Sequence, residues 1–128
     1  MEKIKISGKT FSGKAGGRKF LQLPWVKQQI TAKLGFTPYT GTLNLQLSDK
    51  NAAKRRLLGN AAAITVHPAE GYHSGKLFKA SVGKVECGVV IPEVAGSPPD
   101  ILEVIAPVNL RETLKLADGD EIAVTVNL

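Results

Sequence analysis

Leucine alternates with polar residues along Leu43–Leu47, where Asn44 and Gln46 separate three leucines and Thr42 precedes them. Successive strand side chains point to opposite faces, so this stretch predicts a half-buried strand with one packed face and one polar face. Pro38, Thr40 and Gly41 supply the turn that leads into it. The same reading predicts short strands at residues 3–7, 9–11, 61–66, 76–80, 83–90, 101–105 and 121–127. Helical spacing of Val26, Ile30 and Leu34, with Pro24 in the first turn and Gly35 as a stop, predicts a helix over Leu23–Leu34. A second helix is expected from Ser48 or Asp49 to Gly59, and a short third one starting at Pro107 and containing Leu110 and Leu114. Many short strands with few helices favour a mainly all-β closed barrel over a layered α/β sheet. The loop Glu93–Asp100, with two prolines and a glycine, is long enough to act as a lid over the barrel mouth.

Length and composition narrow the setting. A chain of 128 residues fits one domain, here residues 1–128. It is 43% hydrophobic without a long apolar run, and Met1–Lys5 is charged and alternating, unlike a signal peptide. A soluble, cytoplasmic protein without a membrane partner is therefore expected. Nothing in the sequence fixes an oligomeric state, and a monomer is the working expectation. Cys87 is the single cysteine, set in the apolar run Val85–Ile91, which predicts a core residue and excludes a disulfide or thiolate metal cage.

A net charge of +6 and a pI near 9.6 favour an anionic partner, whether nucleotide, nucleic acid or membrane surface. The aromatic residues are dispersed and form no stacking motif of the kind single-strand RNA binders use, so nucleic acid is the secondary reading. The stretch Ser12–Phe20 (SGKAGGRKF) has the glycines and cations of a phosphate-binding loop, and equally of a flexible turn. It is not a P-loop: Gly8, Gly13 and Lys14 match part of that pattern, but Ala15 stands where a metal-binding Ser or Thr is required. Lys50, Lys54, Arg55 and Arg56 form the densest basic cluster, either a solvated helix face or a contact for phosphates or RNA. His67 and His73 lack carboxylate or cysteine partners and do not point to zinc.

Two positions carry more specific chemistry. Thr42 and Asn44 share a strand face about 6.6 Å apart, and two neutral oxygens so placed suit Mg²⁺ if a nucleotide supplies the remaining ligands and charge. The ordinary alternative is a solvated strand face. Glu103 sits in an apolar strand, with Ile101 and Ile105 on its own face and Leu102 and Val104 on the other. A carboxylate there is costly unless it meets water, a cation or a ligand hydroxyl. The helix expected after Pro107 would offer free amides to phosphate at its start.

Four blocks together, LGFTPYTGTLNLQL, SGKAGGR, EGYHSGKLF and LEVIAPVNLRETLKLADGDEI, resemble the archaeal-type CTP-dependent riboflavin kinases, in this order and over nearly the whole chain. The resemblance implies a six-stranded cradle-loop barrel, riboflavin kinase-like, with one or two short helices. It also implies transfer of the γ-phosphoryl group of CTP to the 5′-hydroxyl of riboflavin, giving FMN and CDP with Mg²⁺ as cofactor. Carried over by position, Gly13, Lys14, Ala15, Gly16, Gly17 and Arg18, together with Val108, Asn109, Leu110 and Arg111, would bind the nucleotide. Thr42 and Asn44 would hold Mg²⁺, and Glu103 would contact the flavin and is the candidate base. Two departures stand out: Ala15 and Gly16 replace the glycine and glutamate usual in the loop, and Ala95 stands where the family places a flavin-touching threonine, a role Ser97 would take only if its loop shifts. The competing readings are a non-catalytic flavin- or nucleotide-binding barrel and a basic RNA-binding barrel.

Overall fold

Alternate residues of Lys3–Phe11 turn inward, with Ile6, Gly8 and Thr10 buried, and the two short strands expected there form one continuous strand, β1, in a computed structural model of the chain. The structure describes residues 3–11, 24–39, 42–59, 61, 64–66, 75–92 and 99–128. After β1 come helix α1 (Pro24–Leu34), β2 (Leu43–Gln46), α2 (Asp49–Gly59), β3 (Ile64–Val66), β4 (Gly75–Val82), β5 (Val85–Pro92), β6 (Ile101–Ile105), α3 (Leu110–Thr113) and β7 (Glu121–Asn127). Strands β4, β5, β6, β2, β1 and β7 pair in that order, all antiparallel. β7 then returns to β4 through Ala80–Val126 and Ser81–Thr125, closing a six-stranded barrel. β3 pairs with the other half of β4, where β7 does not reach.

Two apolar clusters hold this arrangement. The barrel interior contains Ile6, Leu43, Leu45, Phe78, Val89, Leu102, Val104, Val124 and Val126, with Leu58 of α2 among them. On the outer face, Val26 and Ile30 of α1 pack against Leu77, Val90 and Ile105. That second layer explains why β5 is apolar at consecutive positions: Val89 faces the interior and Val90 faces α1. Cys87 is buried in the interior, as its surroundings predict, and burial pushes its thiol up to about 12.

Gly8 allows β1 to continue unbroken beside β2. A Cβ there would lie 2.9 Å from the Leu45 Cβ and 3.0 Å from the Gln46 carbonyl oxygen, atoms that cannot swing aside. Gly8→Ala is expected to lower stability by about 1–3 kcal/mol through overpacking. Chemical denaturation checks this, and a parental midpoint would show that β2 yields without cost.

α2 finishes the edge of β1 that β2 is too short to cover. β2 pairs with β1 only at Lys9, Thr10 and Phe11, and upstream the Ser7 amide donates to Asn51 Oδ1 (3.0 Å) while Lys54 Nζ donates to the Lys5 carbonyl (2.9 Å). The last helix starts later than its proline suggests. Asn109 is its N-cap, accepting from the Glu112 amide at 3.3 Å, so Pro107 and Val108 form a bend before it. Among the described residues no helix is long and apolar enough to cross a membrane.

Candidate active site

Leu43 and Leu45 of β2 and Leu102 and Val104 of β6 point into the barrel, which leaves Asn44 and Glu103 on its outer face. The register of the two strands places these residues directly opposite each other. Opposed antiparallel residues have Cβ atoms about 4.5–5.5 Å apart, so the amide and the carboxylate share one small area. The row continues to Phe11 of β1 on one side and to Val90 and Leu77 on the other. Because α1 covers Val90 and Leu77, Glu103 stands at the border between a roofed apolar face and an open polar one. Thr42 lies at the entry to β2, two residues before Asn44.

These three side chains are half-buried, yet none makes a hydrogen bond or ion pair among the described residues. Their polar neighbours are engaged. Gln46 Nε2 donates to Asp100 Oδ2 at 2.7 Å, Asn51 bridges to β1, and Asn109 caps α3 while its Nδ2 donates to Tyr39 Oη at 3.4 Å. No buried side-chain nitrogen or oxygen among the described residues lacks a partner, so the polar atoms of these three half-buried side chains reach solvent, where a ligand could meet them.

The electrostatics come from a residue that the charge pattern did not single out. Arg55 is only 8% exposed, and its Nε donates to the Ile101 carbonyl at 2.7 Å. Burial lowers its proton affinity, while Glu103 and Asp100 work in the opposite direction. Glu103 responds in mirror image: burial raises its proton affinity, and the charge of Arg55 lowers it in part. The basic cluster of α2 is therefore not one solvated face, since Arg55 points inward and Lys54 is tied to the Lys5 carbonyl. A signal existed in the three-residue spacing of Ala52, Arg55 and Leu58, whose apolar members pack on the interior.

Phe11, the last described residue of β1, pairs with Asn44 across the strands. The loop Gly13–Arg18 that follows Phe11 lies outside the described residues, as do Ser97, His67 and His73. At this end the Thr10 amide donates to the Asp120 carbonyl and the Gly119 amide to the Thr10 carbonyl, locking the last turn against β1. Arg111 Nη2 meets Asp118 Oδ1 of that turn at 2.6 Å. The Tyr39 amide donates to the Ala106 carbonyl at 2.7 Å, which sets the approach to Thr42 beside the 106–109 segment. Val108 is exposed, whereas Leu110 is 4% exposed and faces the core, so a ligand would meet Leu110 only through its backbone.

Divalent metal chemistry fits this donor set in one way. No group of three or more His, Cys, Asp or Glu side chains among the described residues is arranged to hold a metal. What is present is a hydroxyl and an amide oxygen without hydrogen-bond partners among the described residues, neutral hard donors suited to an ion whose charge is balanced by phosphates.

Comparison with known proteins places the chain in context. The family model for a CTP-dependent riboflavin kinase domain, described as a domain of unknown function (DUF120), matches residues 10–126. The chain is similar to the riboflavin kinase of Methanosarcina barkeri, with 38% identity over 94% of this chain and 56% of that protein. It is 40% identical to the riboflavin kinase of Archaeoglobus fulgidus over 98% of this chain and 55% of that protein. With the riboflavin kinase of Ignicoccus hospitalis the identity is 40%, covering 96% and 71%. The chain thus spans little more than half the length of the first two relatives.

Proposed function

Since the chain belongs to the CTP-dependent riboflavin kinase family, we propose that it transfers the γ-phosphoryl group of CTP to the 5′-hydroxyl of riboflavin, giving FMN and CDP. The observation that carries this reading is the pairing of Asn44 with Glu103 across β2 and β6, with Thr42 two residues before Asn44, at the edge of an apolar face. Phosphoryl transfer asks little covalent chemistry of a protein and depends on alignment and charge neutralisation. This row brings the two required halves within one strand pair.

In this mechanism Thr42 and Asn44 would hold Mg²⁺. The ion, when bound, neutralises charge on the transferring group. Lys14 and Arg18, with the amides of the loop Gly13–Arg18, add positive charge, and the 108–111 segment with Arg111 contacts the nucleotide from the neighbouring turn. Glu103 accepts a hydrogen bond from a ribityl hydroxyl and orients it toward the phosphate. The raised proton affinity of Glu103 also suits it to take the proton of that hydroxyl. A cytoplasmic setting and a monomer belong to the same proposal.

The test is incubation of the protein with riboflavin, Mg²⁺ and CTP, ATP, GTP or UTP in turn, followed by chromatography for FMN. FMN formed preferentially with CTP is the expected result. Tight riboflavin or CTP binding without FMN would instead make this a binding barrel, with the Ala15–Gly16 change in the loop as the first suspect.

A further inference from the structure

Among the described residues, Arg55 is the one charged side chain buried in the fold. Burial of a guanidinium is costly, and an apolar residue of similar volume is often neutral or stabilising in its place. Its presence asks for a role beyond packing. The Nε group is fixed on the Ile101 carbonyl of β6, two residues before Glu103 on the same strand. Yet Arg55 and Glu103 form no ion pair within 4.0 Å of each other. The guanidinium is thus anchored to the strand that carries Glu103 without forming an ion pair with it.

We propose that Arg55 is a positioning residue for flavin binding: anchored from α2 to the backbone of β6, it compensates the charge of Glu103 at a distance and leaves the carboxylate oxygens free to accept ribityl hydroxyls. The inference rests on the assignment of Glu103 to the flavin. A direct ion pair would satisfy the same carboxylate internally and compete with the ligand; no compensation at all would leave a half-buried anion unsupported. The arrangement seen here lies between the two. Asp100, the other acidic group near Arg55, is exposed and already accepts from Gln46, so Glu103 is the carboxylate left for a ligand.

The experiment uses the full chain and riboflavin itself, whose fluorescence reports binding without turnover. Arg55→Met, assayed well below its melting temperature, is expected to weaken riboflavin binding about tenfold, a change of 1.36 kcal/mol. CTP affinity should stay within about twofold of the parent. Arg55→Lys, which keeps the charge, should recover most of the flavin affinity. In a Glu103→Gln background, Arg55→Met should have almost no further effect, because the residue acts through Glu103. Undiminished riboflavin binding in Arg55→Met overturns the inference, as does a parallel loss of flavin and CTP affinity with falling melting temperature. If Arg55→Met does not fold, Arg55→Lys decides: a folded variant that loses tenfold in flavin affinity shows that charge is not the cause. Parental protein that binds no riboflavin removes the kinase reading and this inference with it, an outcome distinct from parental binding that Arg55→Met leaves unchanged.

Discussion

Asn44→Ala should reduce FMN formation by about 10²–10³-fold, the loss typical when one preorganised partner of a transition-state charge is removed. The side chain is half-buried on the outer face of β2 and supports no internal hydrogen bond among the described residues, so its removal should leave the fold intact. Stability is expected to change by no more than about 0.5 kcal/mol, as for a surface substitution away from special features. Riboflavin affinity should stay within about twofold, since the flavin contact is assigned to Glu103, and raised Mg²⁺ should restore part of the rate. Steady-state assays across a Mg²⁺ series, with a melting curve for each protein, check all of this. A parental rate at limiting Mg²⁺ would remove Asn44 from the metal site.

Glu103→Gln should lower turnover by about 10²-fold, the low end of the range for losing a positioned general base, and weaken riboflavin binding with it. It should also stabilise the ligand-free protein near neutral pH by about 0.5–2 kcal/mol, as relief of a functionally strained site commonly does. The sign follows from proton linkage. Burial raises the Glu103 proton affinity above the ordinary carboxylate value of 4.5, with Arg55 opposing in part. Between 4.5 and the raised value, the folded protein holds more protons than the unfolded chain, so its stability falls as pH rises through that window. Below it Glu103 is neutral in both states and the two proteins should melt alike; above it the difference should be complete. Thermal melts of both proteins from acid to neutral pH measure this directly. Were turnover at saturating riboflavin to remain parental while binding weakened, Glu103 would be a ligand contact and not the base.

The strands were legible wherever a short segment carried its own alternation. Leu43–Gln46 and Glu121–Asn127 fall where hydrophobic periodicity puts them, because one face of each is buried and the other is not. Gly8 separates the two alternating segments 3–7 and 9–11 in the sequence, yet β1 runs through it, because its missing Cβ lets Leu45 and the Gln46 backbone approach. The start of α3 was misplaced by giving Pro107 the first turn when Asn109 supplies the cap. Thr42, Asn44 and Glu103 were each found from local chemistry, but their meeting was not. Asn44 and Glu103 lie far apart along the chain, and only the β2–β6 register brings them together. Arg55 was hidden for a related reason: it reads as part of a basic run until the turn of α2 directs it inward between Ala52 and Leu58.

If Thr42 and Asn44 hold the metal beside Glu103, a paramagnetic ion bound there will mark them directly. Mn²⁺ added to the protein with CDP broadens the NMR signals of nearby protons, and it reports the place of the ion independently of turnover. The expected result is nucleotide-dependent broadening of the Asn44 side-chain amide and the Thr42 methyl, with the Cys87 and Val124 signals in the barrel interior far less affected. Broadening centred elsewhere, or unchanged when CDP is omitted, would contradict the site described here.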